Sequence, residues 1–293
     1  TDGVQLLGTN AALTAVDGRN SGRQLFAARG VGRGSMISNL TFRNAGVGGN
    51  ITYNAGKAGL FLQSTAIRVA DCVVSNNYLY GGNGGGFYVD GGRPLIERCL
   101  IYRNFGSIAY SGHGAGLFFQ AGTLEIRSSV LSSNYTGGNG QGAGLHAASL
   151  VGSLDMFNCL IVSNNNANAA NADGLYIAGG NVRIGNTTLA QNDGFGIFRA
   201  GGNVWLTNSI LWENGVDVTG TVSLAYCDSQ NADLTGMPGC FSSNPLFVAG
   251  FRLDEASPCV DAGGENAQVL GLHRMSTRLD GKPDTGRADL GFH

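Results

Sequence analysis

The chain has 293 residues, of which 49 are glycine, 5 are proline and 13% are charged, and its formal net charge is −2. This near-neutral balance gives no electrostatic reason to expect binding to nucleic acid or to an anionic membrane surface. No apolar run approaches the roughly 18 residues that a transmembrane helix needs, so no membrane insertion is predicted.

The first residues lie in strand-like sequence (residues 3–8, Gly-Val-Gln-Leu-Leu-Gly), without an initiating methionine or a signal peptide. We expect a processed or trimmed product, because the first unit of a stacked repeat needs a cover.

A seven-residue phrase that ends in asparagine recurs down the chain, as in residues 98–104 (Arg-Cys-Leu-Ile-Tyr-Arg-Asn). Successive closing asparagines are 22 to 33 residues apart. Such a period, tolerant of insertions, predicts a solenoid whose coils carry loops of variable length. The closing asparagines are Asn44, Asn77, Asn104, Asn134, Asn164, Asn192 and Asn214.

Each coil holds two further apolar stretches, as in residues 116–119 (Gly-Leu-Phe-Phe) and 124–126 (Leu-Glu-Ile). The stretches alternate with period two, which excludes helical repeats. The sequence therefore predicts an all-β fold: a single-stranded right-handed parallel β-helix with three short strands per coil and about 8–11 coils. Residues 1–226 are assigned to the β-helix, and residues 227–293 to the last coils and cap of the same domain.

Stacking gives each repeated position a structural role. Asparagine tolerates the left-handed backbone of a turn, and stacked amides can hydrogen-bond along the solenoid axis. The asparagine column is therefore interpreted as scaffold rather than as a functional site. The glycine that opens the second phrase is expected to relieve crowding where the chain bends.

The six cysteines form two groups. One corner position of the coil holds Cys72, Cys99 and Cys159, and in other coils Asn39, Ser129, Thr187 and Ser209. Small side chains interchange there, so these three cysteines are predicted to be free packing residues. The others, Cys227, Cys240 and Cys259, lie beyond the regular repeat, where a Cys240–Cys259 disulfide is predicted to pin the end of the chain.

The repeat phrases and the C-terminal segment resemble the right-handed parallel β-helix repeat proteins of bacterial secreted and cell-surface origin, in the pectate-lyase-like superfamily. The resemblance to the C-terminal cap of that family lies in residues 244–247 (Asn-Pro-Leu-Phe), 251–253, 257–263 (Ser-Pro-Cys-Val-Asp-Ala-Gly), 280–283 and 288–291. It implies the fold and an extracellular or cell-surface location. It implies no single activity, because the fold hosts polysaccharide lyases, glycosidases, adhesins and phage tailspikes.

One outward column carries charge, and its members are Arg68, Leu95, Glu125, Asp155, Arg183 and Trp205. Glu125 and Asp155 would be neighbours one coil apart, as the acid and the base or nucleophile of a glycosidase require. Alternatively, the pair would hold calcium against a uronate while Arg127 or Arg183 acts as the base of a lyase. The favoured interpretation is a surface charge ladder in which Asp155 pairs with Arg183.

Other candidate chemistry is weaker. Residues 112–114 (Gly-His-Gly) resemble one element of the polygalacturonase signature, but the other elements are missing, which favours a chance match. No histidine spacing predicts a metal site. Residues 164–173 are rich in oxygen acceptors of the kind that suit calcium, but Asp173 is the only carboxylate among them. The chain is therefore predicted to need no cofactor.

A second outward column carries rings: Phe61, Tyr88, Phe118, His146, Tyr176 and Phe198. An exposed stripe of this kind predicts a surface for protein partners or for sugar rings. The alternative is that loops or the tail cover it, and the loops at 45–58, 78–85, 105–115 and 135–143 end on the same side.

The leading hypothesis is a non-enzymatic extracellular β-helix that serves as a surface, adhesive or assembly-forming protein. Its predicted partners are its own subunits, as an oligomer or filament, or polysaccharide bound on the aromatic column, or both. The alternative is a polysaccharide lyase or glycoside hydrolase that uses Glu125, Asp155 and Arg183.

Overall fold

The computed structural model describes residues 3–19, 26–46, 59–79, 81–106, 112–148, 152–167 and 172–293. Short strands stack in parallel into a right-handed solenoid with three strands per coil, which confirms the predicted fold. The boundary between residues 226 and 227 stays a prediction.

Three parallel sheets form the walls of the solenoid, here called A, B and C. In the described residues, sheet A consists of Gln5–Leu7, Met36–Ser38, Arg68–Ala70, Leu95–Glu97, the second half of Leu117–Arg127, Gly152–Phe157, Asn181–Gly185, Asn203–Thr207 and Ser223–Ala225. Sheet B consists of Ala15–Asp17, Thr41–Arg43, Val73–Ser75, Leu100–Tyr102, Val130–Ser132, Leu160–Val162, Thr188–Ala190, Ile210–Trp212 and Asp228–Ser229. Sheet C consists of Phe26–Arg29, Leu60–Thr65, Phe87–Gly92, the first half of Leu117–Arg127, Leu145–Ala147, Ala172–Ile177, Phe195–Arg199 and Val216–Thr219.

A few elements lie outside these sheets. Tyr135–Thr136 pairs with Asn165–Asn166 in parallel, and Phe247–Val248 pairs with Arg252–Leu253 in antiparallel fashion. A 3-10 turn at Ala249–Phe251 and a short helix at Ala267–Leu270 belong to the C-terminal segment. In the part of the chain that the structure describes, no helix is long and apolar enough to cross a membrane.

The strands alternate as their sequences predict. In Gly152–Phe157, Leu154 and Met156 are buried in the core, whereas Asp155 between them faces outward. Because the same alternation repeats in successive coils, aliphatic side chains stack into one continuous core along the axis.

The asparagine ladder contains six of the seven predicted members. From Asn77 to Asn192, each side-chain Nδ2 donates to the Oδ1 of the asparagine in the next coil, at 2.9–3.1 Å, and the series ends at Asn214. Asn44 is not part of it. The pairing of Thr41 with Val73 places Ala45 opposite Asn77, and the Ala45 N–H donates to the Asn77 Oδ1.

Two sequence-based details are thereby corrected. The first phrase shifts by one residue, so Leu40 rather than Asn39 occupies the corner shared with Cys72, because a buried aliphatic side chain fills the core there. The left-handed conformation also belongs to the residue before each ladder asparagine rather than to the asparagine itself. Those left-handed residues are Asn76, Arg103, Ser133, Ser163, Gln191 and Glu213.

Candidate functional site

The charged column exists in the predicted register. Strand pairing places Arg68, Leu95, Glu125, Asp155, Arg183 and Trp205 side by side on consecutive coils of sheet A. The structure therefore makes Glu125 and Asp155 neighbours, as the sequence predicts.

The partners of these carboxylates are arginines. Glu125 pairs with Arg127 two residues along its own strand. Asp155 lies 3.6 Å from Arg183 on the next coil, and the Arg183 guanidinium lies 5.5 Å from the centre of the Trp205 ring. Half-exposed pairs of this kind form a neutralised surface ladder and contribute little to stability.

The ring column also exists, and its members stack face to edge or face to face along sheet C. Ring centres of consecutive members from Phe61 to Phe198 are 4.6–5.6 Å apart. Phe61, Phe118 and His146 are buried, whereas Tyr88, Tyr176 and Phe198 are half-buried. The column is therefore a continuous aromatic stack with partial access to solvent.

Loops cover the middle of this stack, which is the alternative that the sequence left open. The Gly84 N–H donates to the His113 carbonyl, and the Gly114 N–H donates to the Gln141 carbonyl, so the loops of successive coils form their own ladder. The His113 ring lies 4.7 Å from that of His146. Part of the predicted loops, including residues 47–58, 80 and 107–111, lies outside the described residues.

His146 beneath the loops and His113 within them both have a structural role. Burial lowers the pKa of His146 to about 3, with a smaller contribution from His113, so its ring is neutral in the stack. Burial also lowers the pKa of His113, and its Nδ1 accepts the Gln141 N–H at 3.0 Å. The Gly-His-Gly motif thus positions a loop.

A third feature is an open groove of about 560 Å³ between sheet B and the C-terminal segment. Phe247 and Phe251 pack on the outer face of sheet B, and Trp212 at the end of Ile210–Trp212 faces the same space. The groove is lined by Gln191, Trp212, Glu213, Asn244, Leu246, Phe247, Val248, Gly250, Phe251 and Asp254.

The polar groups of the groove are held in place. The Gln191 Nε2 donates to a Glu213 carboxylate oxygen at 2.8 Å, and the Asp254 carboxylate accepts the Ala256 N–H at 2.9 Å. The groove thus combines aromatic faces with carboxylates and amides. Sequence reasoning missed this groove, because the repeat period does not reach residues 244–254.

Of the two cysteine predictions, only the one for the corner position agrees with the structure. All six cysteines are free, and Cys72, Cys99 and Cys159 are buried at the corner as expected. The predicted Cys240–Cys259 disulfide is not formed. The Cys259 thiol instead contacts the Asp228 carboxylate at 3.2 Å, whereas Cys240 lies against Cys227.

A carboxylate cluster in the C-terminal segment brings oxygens of Asp261, Asp284 and Asp289 within 4.8 Å of one another. Protein donors serve two of these groups: His293 contacts Asp284 at 2.7 Å, and the Asp261 N–H donates to Asp289 at 2.8 Å. We therefore interpret the cluster as a hydrogen-bonded cap. The acceptor-rich stretch 164–173 lies partly outside the described residues, since 168–171 are not described.

Asp173, at the end of that stretch, predicts a pH dependence of stability. It is buried; its Oδ2 accepts the Gly194 N–H at 2.5 Å, and its Oδ1 has no hydrogen-bond partner among the described residues. Burial raises its pKa to about 7, from 3.8, and that of Asp228 to about 6. The folded protein therefore holds protons that the unfolded chain has released.

We expect the free energy of unfolding to fall as the pH rises from about 4, by about 1.4 kcal/mol per pH unit for each such carboxyl. The contribution of Asp228 ends at about pH 6 and that of Asp173 at about pH 7, so the stability should level off above pH 7. Denaturant unfolding across this range measures the slope. Asp173→Asn should lower the slope by about 1.4 kcal/mol per pH unit and leave only the contribution of Asp228, whereas Glu255→Gln, at an exposed carboxylate that contributes to neither pKa shift, should leave the slope unchanged. A wild-type stability that rises through this window would contradict the prediction.

Comparison with known proteins agrees with this architecture. A family model described as the right-handed β-helix region matches residues 2–171, which is more than half of the chain. No curated protein and no solved structure matches the chain.

Proposed function

The chain belongs to the right-handed β-helix family, and from that premise we propose that it is a non-enzymatic, extracellular β-helix that adheres to neutral polysaccharide. The observation that carries the proposal is the groove beside Trp212. There, the half-buried rings of Trp212 and Phe251 face the same space as the side chains of Gln191 and Asn244.

These groups suit a sugar. The flat apolar face of a pyranose packs on an aromatic ring, while its hydroxyls bond to amides and carboxylates held at the rim. Glu213 and Asp254 give the groove negative charge, which disfavours uronates and favours neutral sugars. The exposed edges of Tyr88, Tyr176 and Phe198 would extend the contact surface on another side of the solenoid.

The charged column supports a role without catalysis. A glycosidase acid needs a raised pKa and a substrate cleft, whereas Glu125 and Asp155 are half-exposed and paired with arginines. An extracellular location is part of the proposal and is supported by the resemblance of the repeat and cap to exported β-helix proteins. The same applies to assembly with further copies of the chain.

Replacing the Trp212 ring in the groove should weaken the binding of neutral glycan. We expect Trp212→Ala to reduce affinity for the best neutral glycan at least about tenfold, because an aromatic anchor is lost. A glycan array with neutral and acidic oligosaccharides selects the probe, and isothermal titration calorimetry measures the dissociation constant.

The chain offers a matched control in its other tryptophan. Trp205→Ala, on the charged column, should leave the affinity unchanged. An array without a neutral hit, or equal losses in both variants, would overturn the proposal. Release of reducing ends or unsaturated uronates that Glu125→Gln abolishes would establish the enzymatic alternative.

A further inference from the structure

The last two corner positions of the solenoid are both cysteines. At this corner, the backbone N–H of one coil donates to the side chain of the next, as Cys159 does to the Thr187 Oγ1 at 3.3 Å. The Cys227 N–H makes the same bond to the Cys240 Sγ at 3.3 Å. Cys240 therefore occupies the corner position that follows Cys227, and the two thiols lie side by side.

Backbone contacts bring the segment that carries Cys240 onto the last coil. The Phe241 N–H donates to the Cys227 carbonyl at 3.0 Å, and Asp228 forms an isolated parallel bridge with Phe241. The Tyr226 N–H bonds to the Pro238 carbonyl at 2.8 Å. The chain between the two cysteines leaves the coil and returns to it within 13 residues.

This pair differs from the stacked pair Cys72 and Cys99. Those two precede strands that are paired at Val73 and Leu100, so their backbones are held in the ladder and their side chains run parallel. The backbone around Cys240 is held by a few backbone hydrogen bonds and one isolated bridge rather than by a continuous strand ladder. It has the freedom to adopt the angled geometry that a disulfide requires.

We propose that Cys227 and Cys240 form a disulfide by exchange with an external disulfide, and that this bond fastens the C-terminal segment to the last coil. The segment after Cys240 leads into residues 244–254, which form one wall of the groove. The cross-link would restrain the start of that wall. This inference does not depend on what the groove binds.

The two thiols suit different steps of the exchange. Cys240 is half-buried, and its hydrogen bonds from Cys227 lower the pKa of its thiol to about 7, so it supplies the attacking thiolate at neutral pH. Cys227 is buried, and burial raises the pKa of its thiol. This arrangement, an accessible low-pKa thiol beside a resolving thiol, is typical of reversible redox pairs.

The step balances with oxidised glutathione as the oxidant. The Cys240 thiolate attacks one sulfur of glutathione disulfide and expels one glutathione thiolate, leaving a mixed disulfide. The Cys227 thiol then loses its proton, attacks the Cys240 sulfur and expels the second glutathione. Two protein thiols become one disulfide, and the two electrons and two protons end on two molecules of reduced glutathione.

The test equilibrates the whole purified chain with glutathione buffers from fully reduced to fully oxidised. Remaining thiols are then blocked under denaturing conditions, and the protein is digested and analysed by mass spectrometry. We expect a linked peptide pair containing Cys227 and Cys240, with the other four cysteines blocked, and a rise of about 5 °C in the unfolding midpoint on oxidation.

Two variants test whether the link is specific to Cys227 and Cys240. Cys240→Ser should abolish the link and the rise; it should fold, because Ser129 and Ser209 already occupy this corner. Cys259→Ser should change neither. In a native alkylation series, Cys240 should react with an apparent pKa of about 7.

Three outcomes would each overturn the inference, and none of them requires a variant to fold. One is the absence of the linked pair in fully oxidised wild-type protein. Another is a link between Cys240 and Cys259. The third is a glutathione adduct on Cys240 that persists, because it would mean that Cys227 cannot reach the mixed disulfide.

Discussion

Gly116→Ala is expected to destabilise the protein by about 3 kcal/mol or more, because the added methyl group has no space. A Cβ at this position would lie 2.5 Å from the Gly144 carbonyl oxygen on the next coil and 2.9 Å from the Asn134 Nδ2. Both neighbours are fixed: the Gly144 carbonyl accepts the Leu117 N–H at 3.1 Å, and the Asn134 amide belongs to the buried ladder. Relief would require two coils to separate.

Denaturant unfolding followed by circular dichroism measures this loss as a shift of the midpoint. Gly81→Ala is the control, since a Cβ there meets no atom of the described part of the chain within 4 Å. Its midpoint should stay close to that of the wild type. Equal stability of the two variants would mean that the coils are not packed backbone against backbone at this column.

Asn134→Ala is expected to cost about 2–4 kcal/mol, because it leaves buried polar groups without partners. The Asn134 Nδ2 donates to the Ile101 carbonyl and to the Asn164 Oδ1, each at 3.0 Å. Its Oδ1 accepts the Asn104 backbone N–H at 3.1 Å. Water cannot replace these contacts, because Asn104, Asn134 and Asn164 are all buried.

Asn134→Asp separates polarity from packing, since it keeps the shape but turns two donors into acceptors facing oxygens. It should be at least as destabilising as alanine at pH 7 and less so at pH 4, where a protonated carboxyl regains one donor. Asn44→Ala is the control within the same sequence repeat, because Asn44 contacts the exposed Asp17 rather than the ladder. A loss at Asn44 as large as that at Asn134 would contradict the six-membered ladder.

Sequence patterns were sufficient to predict which residues lie side by side wherever those neighbours are one coil apart. The charged column from Arg68 to Trp205 is in the predicted register throughout, because strands in which buried and outward residues alternate cannot slip by one residue without burying a charge. For the first asparagine phrase, the repeat pattern predicted a register that is wrong by one residue. The repeated asparagine suggested Asn44, whereas the core requirement at Leu40 sets the register there.

Sites formed by distant segments were not predictable in this way. Trp212 and Phe251 share a groove although the repeat does not relate them, and Cys240 reaches Cys227 rather than Cys259. The chain beyond the regular coils has no period, so nothing in its spacing indicates where it folds back.

The coil, its three strands, the stacked asparagines and the outward columns thus follow from periodicity, because a solenoid is held together by contacts between adjacent coils. Access to those columns is set by packing across the whole molecule. Loops cover His146 and Phe118, the C-terminal segment covers part of sheet B, and the groove opens where that cover ends. Burial by distant segments depends on three-dimensional shape, and for that reason the accessible surface became visible only in the folded chain.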